Sequence, residues 1–137
     1  MRFLLDTNVV SELFRTRANQ NVLKWFQSVA SADLYLSVIT LGEIRKGVEL
    51  KRATSGEQAA LLEAWLQSLA LRYRSRILPL DEEVADVWGR IMASHVGLPV
   101  EDSQLAATAL HHGLTLVTRN VRHVARTGVA HLDPFRG

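Results

Sequence analysis

Three acids and an amide stand where apolar runs of this sequence give out, and they are side chains that hold a hard cation or activate water. Asp6 follows Phe3-Leu4-Leu5 directly, at the point where a short buried strand should end. Glu43 lies beyond Ser37-Val38-Ile39-Thr40, where a second apolar run passes into a helix whose first turn would carry the acid. Asp102 belongs to Pro99-Val100-Glu101-Asp102-Ser103, at the head of an Ala-rich helix. Asn120 falls in the polar loop Thr118-Arg119-Asn120-Val121-Arg122-His123, after a fourth apolar run. Each has a plainer reading beside the chemical one. Asp6 is equally placed to cap a helix. Thr40-x-x-Glu43 fits a capping box, in which the glutamate bonds the cap amide. Acids at the head of a helix are favoured by its positive end. Four such groups reaching one edge from four separate elements form a less ordinary pattern than any one cap. Gathered carboxylates repel one another unless a cation or proton joins them. With oxygen ligands, Mg²⁺ or Mn²⁺ would answer that need and take a substrate phosphate as a further ligand.

That edge exists only if the chain folds as alternating strands and helices. Short buried-strand candidates cover residues 3–5, 34–38, 77–80 and 114–117, with a weaker one at 130–132. Helical spacing relates Val22, Trp25, Phe26 and Val29, and again Val84, Val87, Trp88, Ile91 and His95. The stretch 57–71 is a further long helix, and KRATSG at 51–56 is a turn before it. Asp81 should open a helix, and Gly97 and Gly113 should follow helix ends. Strands this apolar have no wet face. The expected fold is therefore α/β, a mainly parallel sheet of about five strands with helices on both sides, and ligands beyond the strand carboxyl ends. On the third helix, Asp102 is preferred to Glu101 as a ligand, because it lies three residues before core-facing Leu105 while Glu101 is about 100° around the helix.

Composition narrows the chemistry. The 137 residues suit one domain, taken as 1–137, with 47% hydrophobic residues to fill its core. Cysteine is absent, which excludes disulfides, thiolate metal sites and a Cys nucleophile, and suits a reducing cytoplasmic setting. No apolar run is long enough for a secretory leader or a membrane span. The formal charge of +2 says little by itself. Its distribution says more, since Arg45, Lys46, Lys51 and Arg52 form one basic group, Arg72, Arg74 and Arg76 another, and Arg119, Arg122 and Arg126 a third. Each is either a solvated face or a phosphate contact. Trp25, Trp65 and Trp88 fall in apolar stripes and are expected to pack, while His95, His111 and His112 sit at helix ends where a cation suits the dipole.

LLDTNVVSEL at 4–13, SVITLGEIRKGVE at 37–49, EDSQLAATAL at 101–110 and LVTRNVRHV at 116–124 together resemble the PIN-domain ribonucleases. The likeness is to the VapC-type toxins of VapBC toxin–antitoxin modules, in the FitB-like branch, and it spans nearly the whole chain. It implies a PIN-like sheet flanked by helices, with Asp6, Glu43 and Asp102 as an acidic triad. Thr7, Asn8, Ser11 and Thr118 or Asn120 would stand near it. It further implies a Mg²⁺- or Mn²⁺-dependent endoribonuclease acting on tRNA or rRNA. A cognate VapB-type antitoxin would inhibit it by pushing an Arg or Lys toward the acidic pocket, and would carry any contact with operator DNA. A homodimer inside a larger complex is the usual assembly. One departure stands out: the branch reads N-x-x-D-F after the last catalytic strand, but here Asn120 is followed by His123 and Val124. His123 is open to three readings, a surface residue, an imidazole ligand favouring Mn²⁺, or a proton donor to a leaving oxygen. The missing acid also admits a second function, a catalytically weak or inactive partner that binds an antitoxin and supports operator repression. A third, a phosphatase of small esters, is disfavoured because Asp6-Thr7-Asn8 lacks a D-x-D acid.

Overall fold

In a computed structural model, which describes residues 1–136, five strands form one wholly parallel sheet. In chain order they are β1 (Phe3–Leu5), β2 (Leu34–Ser37), β3 (Ile77–Leu78), β4 (Thr115–Val117) and β5 (His131–Leu132), and in space they run β3-β2-β1-β4-β5. The helices are α1 (Thr7–Phe14), α2 (Gln20–Ser28), α3 (Val38–Arg52), α4 (Gly56–Arg72), α5 (Glu82–Ser94), α6 (Val100–His112) and the short α7 (Val121–Val124). The two-residue period of β1 divides its side chains between two cores. Phe3 and Leu5 point to a layer with Val9, Val22, Val48 and Leu66, from α1 to α4. Leu4 points the other way, to Val84, Leu105 and Val124, from α5 to α7.

The expected α/β architecture is therefore present, with local differences that have physical causes. Strand β3 stops at Leu78 because Pro79 has no N–H to continue the ladder. Leu114 remains with the preceding helix: Gly113 turns left-handed at φ 66°, and the Leu114 amide donates back to the Ala109 carbonyl at 2.8 Å. Ser37 rather than Thr40 begins α3, accepting a hydrogen bond from the Ile39 amide at 3.0 Å. The capping-box reading of Thr40 and Glu43 fails for that reason. Glu43 stands beyond the first turn, which carries no acid, and its carboxylate is left for other work. The link between α3 and α4 is shorter than the stretch 51–56, only residues 53–55, because Lys51 and Arg52 still belong to α3 and Ser55 already caps α4. Asp81 caps α5 through the Val84 amide. All three tryptophans pack against the cores, Trp25 edge-on to Phe3 and Trp88 donating to the Ser103 hydroxyl at 2.8 Å.

Candidate metal centre

Parallel pairing brings every strand's carboxyl end to the same edge of the sheet. The chain leaves β1 through Asp6, whose amide still bonds to the Val117 carbonyl of β4 at 2.9 Å. Asp6 occupies the position before α1 yet its side chain makes no cap bond, so the capping explanation does not account for it. Its Oδ2 instead accepts from the Thr118 hydroxyl at 2.6 Å, just past β4. From α3, Glu43 Oε1 accepts from the Thr7 hydroxyl at 2.6 Å, and Thr7 also meets the Thr40 hydroxyl at 3.1 Å. Asp102, in the first turn of α6, is buried as its spacing from Leu105 required, whereas Glu101 is exposed. Asp102 Oδ2 lies 2.6 Å from His123 Nδ1.

These side chains line one cleft of about 380 Å³, with Asp6, Thr7, Asn8, Glu43, Pro99, Glu101, Asp102, Asn120 and His123 in its walls. All four residues singled out from the sequence are thus brought together. Ser11 is not among the lining residues. Asn120 contributes through its backbone as well, its amide donating to the Thr118 hydroxyl at 3.0 Å and so fixing the group that holds Asp6. His123 is exposed at the rim of the cleft, with its Nδ1 turned to Asp102. The hydroxyl bridges Thr7–Glu43 and Thr118–Asp6 and the His123–Asp102 pair were invisible in the sequence, because each joins residues far apart along the chain. The Asx-Thr pairing of Asp6 with Thr7 and the Thr118-x-Asn120 spacing are the signals that pointed nearest to them.

The electrostatics are those of an acidic site. Burial raises the Asp6 carboxyl from 3.8 to about 6; the Thr118 hydrogen bond opposes this, and the charges of Asp102 and Glu43 add to it. Each carboxylate uses one oxygen in its hydrogen bond and keeps the other without a side-chain partner among the described residues. The Asn8 Oδ1 atom in the same wall is buried with no partner. Hard oxygen donors, repelling charges and an unsatisfied amide oxygen suit a Mg²⁺ or Mn²⁺ ion. Among the described residues no three acids or histidines already stand in ligating positions.

The PIN domain family matches residues 3–129. The chain is 38% identical to toxin FitB of Neisseria gonorrhoeae, covering 96% of this chain and 97% of that protein. It is 31% identical to VapC ribonuclease Y4jK of Sinorhizobium fredii, with 96% of each covered. The crystal structure of FitAcB from Neisseria gonorrhoeae superposes with a TM-score of 0.90 at 37% identity, covering 98% of this chain and 99% of that one. A structure of FitAB bound to an IR36 DNA fragment gives 0.89 at 36% identity, covering 98% and 96%. With its acids at the carboxyl edge of a five-stranded parallel sheet, the chain belongs to the PIN-domain family, as a toxin of the FitB and VapC type.

Proposed function

We propose that this toxin is a divalent-metal-dependent endoribonuclease, with Asp6, Glu43 and Asp102 holding Mg²⁺ or Mn²⁺. The observation that carries the reading is the meeting of three acids, from the end of β1, from α3 and from α6, in one cleft, where burial and the neighbouring charges of Asp102 and Glu43 raise the Asp6 carboxyl. When bound, such an ion lowers the pKa of a water and offsets charge on phosphate oxygens. The chain's own residues supply the rest. Thr118 and Thr7 aim the Asp6 and Glu43 carboxylates, and Asn120 positions Thr118 and presents its amide to the cleft. His123 orients Asp102.

The substrate in this reading is RNA, with tRNA or rRNA as the expected targets, and the name ribonuclease carried by the VapC relative supports it. The partner is a VapB-type antitoxin, with operator DNA contacted through the antitoxin; a similar chain solved in FitAB bound to a DNA fragment supports a complex that meets DNA. A homodimer within the larger complex and a cytoplasmic location complete the proposal. Among the described residues no helix is long and apolar enough to cross a membrane. The test is cleavage of total tRNA and rRNA by the purified chain with Mg²⁺ or Mn²⁺. Cleavage is expected for the wild type and lost on chelation and in Asp102→Asn. Equal turnover by wild type and variant would overturn the reading. His123 favours one alternative, since it occupies an oxygen of Asp102 and stands in place of an acid. An inert partner that only binds antitoxin would bind no divalent ion and cut no RNA.

A further inference from the structure

We propose that a basic groove beside the acidic cleft is a phosphate-binding track that holds the RNA backbone as it approaches the metal centre. The inference rests on the ribonuclease reading above and assigns the residues that would seat its substrate. Arg119, Arg122, Arg136 and His131 line a groove of about 610 Å³, with Asp133 its one acid. The polar segment after β4 divides its side chains between the two sites. Asn120 and His123 face the cleft, while Arg119 and Arg122 face the groove. Neighbouring Cα atoms are about 3.8 Å apart, so groove and cleft adjoin along the same few residues. A backbone lying in one reaches the other within a short run of nucleotides.

The other basic groups fit this role less well. Arg45 and Arg52 are bonded to Glu49 and Glu63. Arg76 donates to the Leu34 carbonyl at 2.8 Å and has a structural task. Arg126, grouped with Arg119 and Arg122 in the sequence, does not line the groove. By contrast Arg119 is exposed and sits over Phe135, its guanidinium carbon 4.4 Å from the ring centroid, a cation–π contact that leaves no carboxylate paired with it among the described residues. The Arg136 guanidinium makes a long contact of 3.5 Å to Asp133. Planar guanidinium forks in a shared groove match phosphate oxygens better than isolated lysines do.

The test is fluorescence anisotropy with a labelled oligouridine and the 137-residue chain, in EDTA to prevent cleavage, across a salt series. Arg119→Gln/Arg122→Gln should weaken binding about ten-fold and lower the slope of log affinity against log salt by about 1.4, from about 0.7 for each phosphate contact. Arg122→Gln alone should give about half that change in slope and guards against a misfolded double variant. Arg90→Gln, on the exposed face of α5, should bind as the wild type does. Wild-type affinity and slope in folded Arg122→Gln and in the double variant would overturn the groove while leaving the ribonuclease reading intact. Failure of the wild type both to bind and to cut RNA would overturn both.

Discussion

Replacing Asp6 with asparagine should abolish RNA cleavage and at the same time make the ion-free chain more stable at neutral and alkaline pH. Asp6 is 5% exposed and feels the charges of Asp102 and Glu43, so burial first and those charges second raise its carboxyl from 3.8 to about 6. Ionising it in the folded chain therefore costs about 3 kcal/mol more than ionising it in the unfolded chain. The stability that Asp6 lends by holding its proton is complete below pH 3.8 and is lost as the pH climbs through about 6. Asparagine carries no charge in either state and keeps an oxygen to accept from Thr118. The gain in Asp6→Asn should thus approach 3 kcal/mol at about pH 8, or up to about 10 °C in Tm for a chain of this size, and should vanish at low pH. Thermal unfolding followed by circular dichroism in EDTA, over a pH series, reads this directly. Added Mn²⁺ should then raise the Tm of the wild type and leave the variant unmoved. A variant no more stable than the wild type at high pH, or a gain independent of pH, would refute the electrostatic reasoning.

Three further outcomes follow from named contacts. Thr7→Val should cost about 1 kcal/mol by removing the donor to Glu43 and cut RNA cleavage about ten-fold or more, while Thr7→Ser retains most activity; denaturant unfolding and cleavage assays together check it. His123→Asp should lower the Tm of the ion-free chain, because it sets a second carboxylate against Asp102, and should enlarge the stabilisation by Mn²⁺; a smaller Mn²⁺ effect than in the wild type would contradict this. Leu4→Ala, at a position with no exposed surface between β1 and the α5–α6 layer, should cost about 2–5 kcal/mol in urea denaturation without altering the acidic cleft.

Much of this molecule could be read from its residues, and the parts that could not share a cause. The five strands were legible because short apolar runs bounded by polar residues leave little choice, and the parallel sheet because those runs have no wet face. The selection of Asp102 over Glu101 followed from its spacing to Leu105. Helix starts were harder. Ser37 and Thr40 are both good caps three residues apart, and the choice between them depends on where β2 stops pairing with β3, which local sequence does not encode. Helix α1, only eight residues long, follows β1 with one residue between and offers too short a stripe to stand out. The hydroxyl bridges from Thr7 to Glu43 and from Thr118 to Asp6 depend on tertiary contact over 36 and 112 positions. The same holds for His123: its spacing after Asn120 marked a departure from the family pattern, but only the fold reveals that it clasps Asp102.

The account depends on a single divalent ion shared by acids from three elements. Calorimetric titration of Mn²⁺ into the purified chain, and into Asp6→Asn, Glu43→Gln and Asp102→Asn separately, measures that sharing. Saturable binding to the wild type is expected, weakening sharply in every one of the three variants. Undiminished binding in any of them would contradict it.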